Sequence, residues 1–243
     1  MGRALGIILL VACAVSAMAA EATILVGLRG DDELVLASDS KVTGPGSDSR
    51  PNICKIHQGP GCFFAISGPV AGPGFDAVAI ARDTCRRGRN IDVIADDFLA
   101  QARQPYQAMY DWLLRNESDY HAKRGPFPLV ILLIGRRNGQ LVMLHTGYHR
   151  KASVVEPIDK TEVKNGDAKF SLARDLPRFM WLNPNWFQPP YARAAERLVE
   201  ADMASGWVDV GPPVAVLQVD ATGARWHKQG LCPPIDATLW SSE

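Results

Sequence analysis

The sequence predicts an α+β domain in which strand pairs near both ends enclose a central helical block. Three observations predict it. Short β-branched and apolar segments occur in pairs separated by turns rich in Gly, Asp and Asn, which is the pattern of antiparallel hairpins. Two long central segments instead have apolar residues at helical spacing. No internal repeat or low-complexity linker divides the 243 residues, so strands and helices are expected to pack in one domain.

The first two strand pairs precede the helical block. Residues 23–29 (TILVGLR) and 33–38 (ELVLAS) are apolar and β-branched, and a Gly-Asp-Asp turn separates them. A second pair is predicted at residues 53–57 and 62–67, around the sequence QGPG. We expect both pairs to form antiparallel hairpins.

The helical block follows directly. Residues 73–87 form a helix with Phe75 and Val78 on one face. A longer helix is predicted over residues 92–118, where Pro105 should produce a kink.

The remaining elements are two hairpins and one helix. Strands at 129–134 and 141–145 flank an Asn-Gly turn, and strands at 214–219 and 224–227 flank the sequence ATG. Composition predicts a helix over residues 191–204 between these hairpins.

The N-terminus has the composition of an export signal. Residues 1–22 contain only Arg3 and Glu21 as charged groups, and the apolar run is too short to span a bilayer. Small-x-small cleavage sites end at Ala19 and at Ala22. We predict a signal peptide at 1–22 and a single domain at 23–243, with a periplasmic or secreted location. A lipid anchor at Cys13, a buried helix and a membrane anchor are the alternatives.

Charge and cysteine content restrict the partners. With 26 basic and 26 acidic residues, the chain lacks the positive charge typical of proteins that bind nucleic acid or an anionic membrane, so neither is expected as a partner. We also predict no cofactor and no metal. Four cysteines remain after leader removal, which fits two disulfides in any of three connectivities, or four free thiols. They are Cys54, Cys62, Cys85 and Cys232.

Leader removal after Ala22 makes Thr23 the N-terminal residue. Its α-amine, with an ordinary pKa of about 7.7–8.0, can then accept the proton of its own hydroxyl. Asp39 and Lys55 lie in or beside the predicted strands. A lysine ammonium near the amine lowers the amine pKa, and the carboxylate balances the lysine charge and orients it.

These residues resemble the N-terminal region of proteasome β-type subunits and their bacterial relatives, which are N-terminal nucleophile hydrolases. In that family an acidic residue follows the nucleophilic Thr by 16 positions and a Lys follows it by 32, as Asp39 and Lys55 follow Thr23. Lys41 matches the basic residue two positions after the acid. The resemblance is clearest over residues 23–88 and weaker beyond them.

The resemblance also implies the fold and further site residues. It implies a four-layer αββα sandwich. Gly68 matches the glycine whose N–H helps to form the oxyanion hole, and Asp202 and Ser205 match a D-x-x-S-G segment that supports the Thr amine. From the residues alone, Gly68 also fits a turn at a strand end, and the D-x-x-S-G segment fits a helix that stops at Gly206.

The chain departs from the family pattern in four places. No segment between Tyr148 and Leu172 matches the family's G-S-G-S, which leaves its serine unassigned. Residues 207–211 delay the strand that follows Gly206, and residues 177–190 form an aromatic insertion. Ala22 stands where many family precursors have Gly, so a signal peptidase rather than self-cleavage is expected to expose the nucleophile.

We therefore predict an exported threonine-type amide hydrolase. Its partners are a peptide or amide substrate and, because family members commonly form rings, further copies of the same chain. One alternative is an inactive scaffold or binding subunit with the same fold. Another is an amidase or acylase that uses the same chemistry on a small substrate.

Overall fold

The fold is built mainly from antiparallel β-strands. A computed structural model of the chain describes residues 19–21, 23–43, 51–88, 90–119, 128–171, 188–204 and 210–240. The strands are β1 (Ala19–Glu21), β2 (Leu25–Arg29), β3 (Glu33–Ser38), β4 (Ile56–Gly59), β5 (Cys62–Gly72), β6 (Phe75–Asp76), β7 (Leu129–Arg137), β8 (Gln140–Lys151), β9 (Val154–Glu162), β10 (Ala168–Ser171), β11 (Ala215–Asp220) and β12 (Gly223–Lys228).

These strands form two sheets. The seven-stranded sheet has the order β1-β5-β7-β8-β9, with β4 and β6 also paired to β5, and the five-stranded sheet has the order β10-β2-β3-β11-β12. Every recorded pairing is antiparallel. The long strand β5 therefore pairs with β4 near its start and with β1 near its end, on Gly68 to Ala71.

Four helices occur in the described part of the chain. They are α1 (Ala77–Arg87), α2 (Ile91–Asn116), α3 (Tyr191–Ala204) and α4 (Ala237–Trp240). The side chain of Asp76 caps α1 by accepting from the N–H of Ala79, and Asn90 caps α2 by accepting from the N–H of Asp92. Pro105 lies inside α2, which is continuous through it.

Three apolar layers hold the elements together. The first lies between α1, α2 and one face of the seven-stranded sheet, and includes Phe64, Ile66 and Phe98. The second lies between the two sheets, and includes Leu25, Phe63 and Leu132. The third lies between α3 and the outer face of the five-stranded sheet. Successive residues of β5 enter different layers because side chains alternate along a strand.

The four-layer αββα sandwich that the resemblance implied is wrong. The described residues are mostly antiparallel sheet with four helices, one of them a single turn. Of these four helices, α3 is the one in the outer apolar layer of the five-stranded sheet. Five strands span about 20 Å and a helix covers about 10 Å, so one helix covers about half of that face and does not make a full layer.

The sequence placed most individual elements within a few residues. The predicted helix 191–204 coincides with α3, and the hairpins of β2 with β3, β7 with β8 and β11 with β12 are confirmed. Strands β9 and β10 were not predicted. In β9 Pro157 and charged residues interrupt the apolar pattern, and only one of its nine residues, Val155, is buried.

Two disulfides join distant parts of the chain. Cys54 pairs with Cys232, and Cys62 pairs with Cys85, which selects one of the three connectivities that the sequence left open. Of the predicted signal peptide, residues 1–18 and 22 lie outside the described residues. Among the helices that the structure describes, none is long and apolar enough to cross a membrane.

Candidate active site

A buried ion pair lies at the end of β3. Asp39 directly follows this strand, and its Oδ1 atom lies 3.0 Å from Nζ of Lys55, which directly precedes β4. The two side chains are 0% and 1% exposed. A buried lysine and a buried carboxylate each need a partner of opposite charge, so each of these residues holds the other in place.

Backbone donors complete the surroundings of Asp39. Its Oδ1 also accepts the N–H of Ile24 at 3.1 Å, and its Oδ2 accepts the N–H groups of Lys41 and Gly211, both at 3.1 Å. With the Lys55 ammonium, the carboxylate thus accepts four hydrogen bonds. Its position is fixed from the residue before β2, from the segment after β3 and from the segments before β4 and β11.

Thr23 is attached directly to this network. The Ile24 nitrogen that donates to Asp39 forms the peptide bond with Thr23, so the carbonyl carbon of Thr23 lies about 1.3 Å from it. Thr23 itself is 5% exposed. The fold therefore brings together the three residues that the spacing in the sequence had singled out, with Asp39 as their common link.

Burial dominates the electrostatics of Asp39. Burial raises the pKa of its carboxyl above the ordinary value, and the Lys55 ammonium and the N–H groups of Gly211 and Ile24 oppose that shift. In the part of the chain that the structure describes, no group of His, Cys, Asp and Glu is arranged to hold a metal ion. The chemistry available here is that of a lysine, a carboxylate and a hydroxyl.

Gly68, which the sequence assigned to the oxyanion hole, lies on β5. Its φ is +98°, and a Cβ atom here would lie 2.1 Å from the carbonyl oxygen of Pro128. The left-handed backbone and the close approach both require glycine. Gly139 differs from Gly68 in this respect, because it also has a positive φ but nothing lies within 4 Å of the position of a Cβ atom there.

The segment that precedes Thr23 runs along β5 beside Gly68. In this antiparallel pairing Glu21 lies opposite Gly68, Ala20 opposite Pro69 and Ala19 opposite Ala71. The backbone of the predicted leader thus occupies the edge of β5 next to the glycine that was assigned to the oxyanion hole.

Asp202 lies near the end of α3 (Tyr191–Ala204), whose apolar residues share a buried cluster with Ile24 and other residues of the five-stranded sheet. Asp202 is fully buried. Ser205 and Gly206 lie outside the described residues.

The sequence did not indicate the part played by the segment before β11. Besides the N–H of Gly211, this segment offers carbonyl groups: Gly211 accepts from the Ser40 N–H at 3.1 Å, and Pro213 accepts from the Ser40 hydroxyl at 2.6 Å. Residues 207–211 looked like a departure from the family pattern. The last of them supports Asp39, a role that only the folded chain reveals because it depends on a backbone N–H.

Two buried serines face the space between the sheets. Ser38 shares the face of β3 with Leu36, and Ser67 shares the face of β5 with Ala65, both of which belong to the layer between the sheets. Neither hydroxyl has a hydrogen-bond partner among the described residues. One precedes Asp39 and the other precedes Gly68. Their positions directly before site residues were visible in the sequence, but their burial was not.

Comparison with known proteins gives similarity in structure alone. No protein family matches the chain by sequence, and no curated protein matches it. Anbu (ancestral beta-subunit) from Yersinia bercovieri is similar in structure with a TM-score of 0.53 and 15% identity, over 84% of this chain and 86% of that one. A mutant of Anbu from Hyphomicrobium sp. strain MC1 is similar with a TM-score of 0.57 and 12% identity, over 90% and 92%.

These similarities correct the family assignment. The chain was predicted to be an exported member of the proteasome β-subunit family, and that prediction is wrong. The two solved structures described above are Anbu proteins, which are proteasome-like but form a distinct family. Since their identities to this chain are 15% and 12%, they show a shared proteasome-like fold and nothing more specific.

Proposed function

We propose that the chain is the precursor of a threonine-type amide hydrolase whose nucleophile is Thr23. One observation carries the proposal: Oδ1 of Asp39 holds both the Lys55 ammonium and the N–H that follows Thr23, at 3.0 and 3.1 Å. A buried cation fixed this close to an N-terminal threonine lowers the pKa of its α-amine and favours the neutral amine that acts as base.

The chemistry uses the chain's own groups. The Thr23 hydroxyl oxygen bonds to the substrate carbonyl carbon while its proton moves to the α-amine. The Gly68 N–H donates to the resulting oxyanion. The C–N bond then breaks and the leaving amine takes the proton from the α-ammonium. Water hydrolyses the remaining ester on Thr23, which releases the acid and restores the hydroxyl.

Ser67 is proposed to supply the hydroxyl that could not be assigned to any residue from the sequence. It lies directly before Gly68 on β5, faces the space between the sheets and is 1% exposed. Asp202, a buried residue of α3, is proposed to support the Thr23 amine together with Ser205.

The leader has two proposed roles. While Ala22 is attached, the Thr23 nitrogen is an amide and cannot accept a proton, so the precursor is inactive. Signal peptidase cleavage after Ala22 during export would free the amine. Two disulfides favour an oxidising compartment outside the cytoplasm.

The pairing of β1 with β5 favours a peptide as the substrate. An extended backbone lies along β5 at Gly68 to Ala71 in the precursor. Once the leader leaves, the same edge offers its N–H and C=O groups to an extended substrate. An amidase that acts on a small substrate would use the same nucleophile but would not need this edge of β5 to bind its substrate. A homo-oligomer is proposed on the weaker ground that one similar structure bears the name of a β-subunit.

The test is covalent labelling of the mature chain. Protein that begins at Thr23 is treated with a peptide vinyl sulfone, which alkylates an activated hydroxyl, and its intact mass is measured. We expect one adduct on Thr23 and none on Thr23→Ala protein or on precursor that retains Ala22. The precursor is a matched control because it contains the same hydroxyl without the free amine.

Two results would contradict the proposal. Mature protein that is folded but gains no adduct and hydrolyses no peptide library would favour the inactive scaffold. A mature N-terminus other than Thr23 in protein recovered from an exporting host would remove the nucleophile.

A further inference from the structure

The segment that carries Lys55 is not held by a sheet. Lys55 lies just before β4, and the sheet pairing of this strand begins at Ile56. Two hydrogen bonds hold the preceding residues: the Ile53 N–H donates to the Ser40 carbonyl at 2.9 Å, and the Asn52 side chain donates to the Pro212 carbonyl at 2.8 Å. The second of these bonds is exposed to solvent, so it adds little rigidity.

A covalent link lies directly beside Lys55. Cys54 is joined to Cys232, with the two Cα atoms 4.7 Å apart across 178 residues of chain. Cys232 is 4% exposed and belongs to the apolar layer between the sheets. Cys54, which directly precedes Lys55, is therefore covalently fixed to the C-terminal part of the chain.

The C-terminal end of this link is itself well anchored. The Cys232 N–H donates to the Gln229 carbonyl at 3.0 Å, and the Gln229 side chain donates to the Cys232 carbonyl at 2.8 Å. The Trp226 indole donates to the Pro233 carbonyl at 3.0 Å, which ties the segment to β12. The disulfide thus connects Lys55 to a fixed point rather than to a loose tail.

We propose that Cys54 and Cys232 are positioning residues that hold the Lys55 ammonium on Asp39. This inference rests on the proposed function. The ammonium meets the carboxylate at a single oxygen 3.0 Å away, so a displacement of about 1 Å breaks the hydrogen bond. Without the disulfide, the described residues hold the N-terminal side of Lys55 only by the hydrogen bonds of Asn52 and Ile53, while the sheet holds its C-terminal side from Ile56 onward.

Loss of this position has a defined consequence for the chemistry. Asp39 keeps its three backbone donors, from Ile24, Lys41 and Gly211, so its carboxylate stays in place. The α-amine of Thr23 then lies near a carboxylate without the compensating cation, and its pKa rises. Activity near neutral pH falls, and the pH at which activity reaches half of its maximum moves upward.

The second disulfide provides a matched control. Cys62 and Cys85 join the start of β5 to α1, at the end of the β4–β5 hairpin opposite Lys55. The variants are Cys54→Ala/Cys232→Ala and Cys62→Ala/Cys85→Ala. Each removes one disulfide and leaves no unpaired thiol from that pair. Because the two links span 178 and 23 residues of chain, the free energy of unfolding of both variants is measured alongside.

Acylation of lysines by an amine-reactive ester is the first measurement. Lys55 is protected in the native protein, and Lys151, whose side chain is 73% exposed, reacts in every variant and serves as the internal standard. We expect Lys55 to be acylated at least tenfold faster in the Cys54→Ala/Cys232→Ala variant than in the control variant. Equal protection in the two variants overturns the proposal.

Amide hydrogen exchange separates local displacement from global unfolding. The Ile53 amide, which donates to the Ser40 carbonyl, should exchange faster only when Cys54 and Cys232 are replaced. The Ile24 and Gly211 amides, which donate to Asp39, should stay as protected as before relative to the Leu132 amide of β7. If all these amides accelerate together, the disulfide acts through global stability and the proposal fails. Should the double variant not fold, Cys232→Ala alone cuts the same link and retains the Cys54 side chain.

The pH profile of vinyl sulfone labelling gives the catalytic readout. We expect its midpoint to rise by about one pH unit, equivalent to tenfold less labelling at pH 7, in the Cys54→Ala/Cys232→Ala variant only. An unshifted midpoint overturns the proposal. If native protein is never labelled, the proposed hydrolase fails, whereas acylation of Lys55 still decides whether the disulfide positions this residue.

Discussion

Lys55 donates to Asp39 across 3.0 Å in a site that excludes solvent from both side chains. The pair connects the segment after β3 to the segment before β4, and the remaining acceptor capacity of the carboxylate is used by backbone N–H groups. Such a pair stabilises a fold only while both members are present, because either one alone is a buried charge without its main partner.

The effects of the two single substitutions in this pair should add up to more than the effect of the double substitution. Asp39→Asn leaves the Lys55 ammonium without a counter-charge, and we expect it to lower the free energy of unfolding by about 3–5 kcal/mol. Lys55→Met removes the cation from a carboxylate that keeps three backbone donors, so its effect should be smaller. Urea unfolding at pH 7 measures both.

The double variant Asp39→Asn/Lys55→Met completes the cycle. Because it buries no uncompensated charge, its loss of stability should be smaller than the sum of the two single losses by about 2 kcal/mol. Additive losses would show that the two charges do not interact in the folded protein.

Gly68→Ala should be far more destabilising than Gly139→Ala. Both glycines have positive φ, at +98° and +80°, so both substitutions incur a backbone strain of about 1–2 kcal/mol. Only at Gly68 would the new methyl group lie 2.1 Å from a carbonyl oxygen, that of Pro128. Thermal and urea unfolding should therefore separate the two variants by at least about 2 kcal/mol.

The same pair tests the role of Gly68 in the reaction. Relief of the clash must move the β5 backbone, which displaces the N–H that is proposed to face the oxyanion. We expect labelling of Thr23 to be lost in folded Gly68→Ala protein and kept in Gly139→Ala protein. Full labelling of Gly68→Ala protein would place the oxyanion donor elsewhere.

Local signals in the sequence were sufficient for hairpins and for the spacing of the site. The Asn-Gly turn between β7 and β8 has the positive φ values that this dipeptide favours, at Asn138 and Gly139. The intervals from Thr23 to Asp39 and Lys55 pointed to residues that the fold brings together. The turn depends on residues that are neighbours in sequence. The site spacing depends on the number of residues between Thr23 and each of Asp39 and Lys55.

Features that depend on distant backbone groups were not predictable. The N–H of Gly211 reaches Asp39 from 172 positions away, and no side chain marks that role. The pairing of Cys54 with Cys232 required knowing that the two chain segments meet. The four-layer sandwich failed for a related reason, since the number of strands in each sheet, which sets the area that helices must cover, is not visible in local periodicity.

His57 should make the fold less stable in mild acid. Burial and then the Arg82 guanidinium, whose Nη2 lies 3.4 Å from the ring Nδ1, lower the His57 pKa from 6.5 to about 4. The unfolded chain therefore binds a proton below pH 6.5 that the folded chain rejects until about pH 4. Stability from this group is complete above pH 6.5 and is lost as the pH falls toward 4.

The shift of the His57 pKa sets an upper limit of about 3 kcal/mol on this effect. The actual effect should be smaller, because the ring is half-buried and solvent screens its charge. Urea unfolding at several pH values between 4 and 7 should give a steeper pH dependence for the native chain than for His57→Gln. Parallel curves for the two proteins would show that the ring titrates alike in the folded and unfolded states.

Three serines near the site should respond differently to removal of the hydroxyl. Ser40 donates to the Pro213 carbonyl at 2.6 Å, so Ser40→Ala should lower the free energy of unfolding by about 1 kcal/mol. Ser38 and Ser67 have no hydrogen-bond partner among the described residues. Their replacement by alanine should therefore leave stability unchanged or raise it slightly, because a buried unpaired hydroxyl is removed.

Activity then separates Ser67 from Ser38. If Ser67 supplies the hydroxyl near the nucleophile, Ser67→Ala should slow vinyl sulfone labelling of Thr23 about tenfold, the effect of losing one hydrogen bond to the reacting groups. Ser38→Ala should label at the native rate. Equal labelling of the native protein, Ser67→Ala and Ser38→Ala would show that Ser67 has no part in the reaction. A loss of stability in Ser67→Ala would show that its hydroxyl has a hydrogen-bond partner in the folded protein.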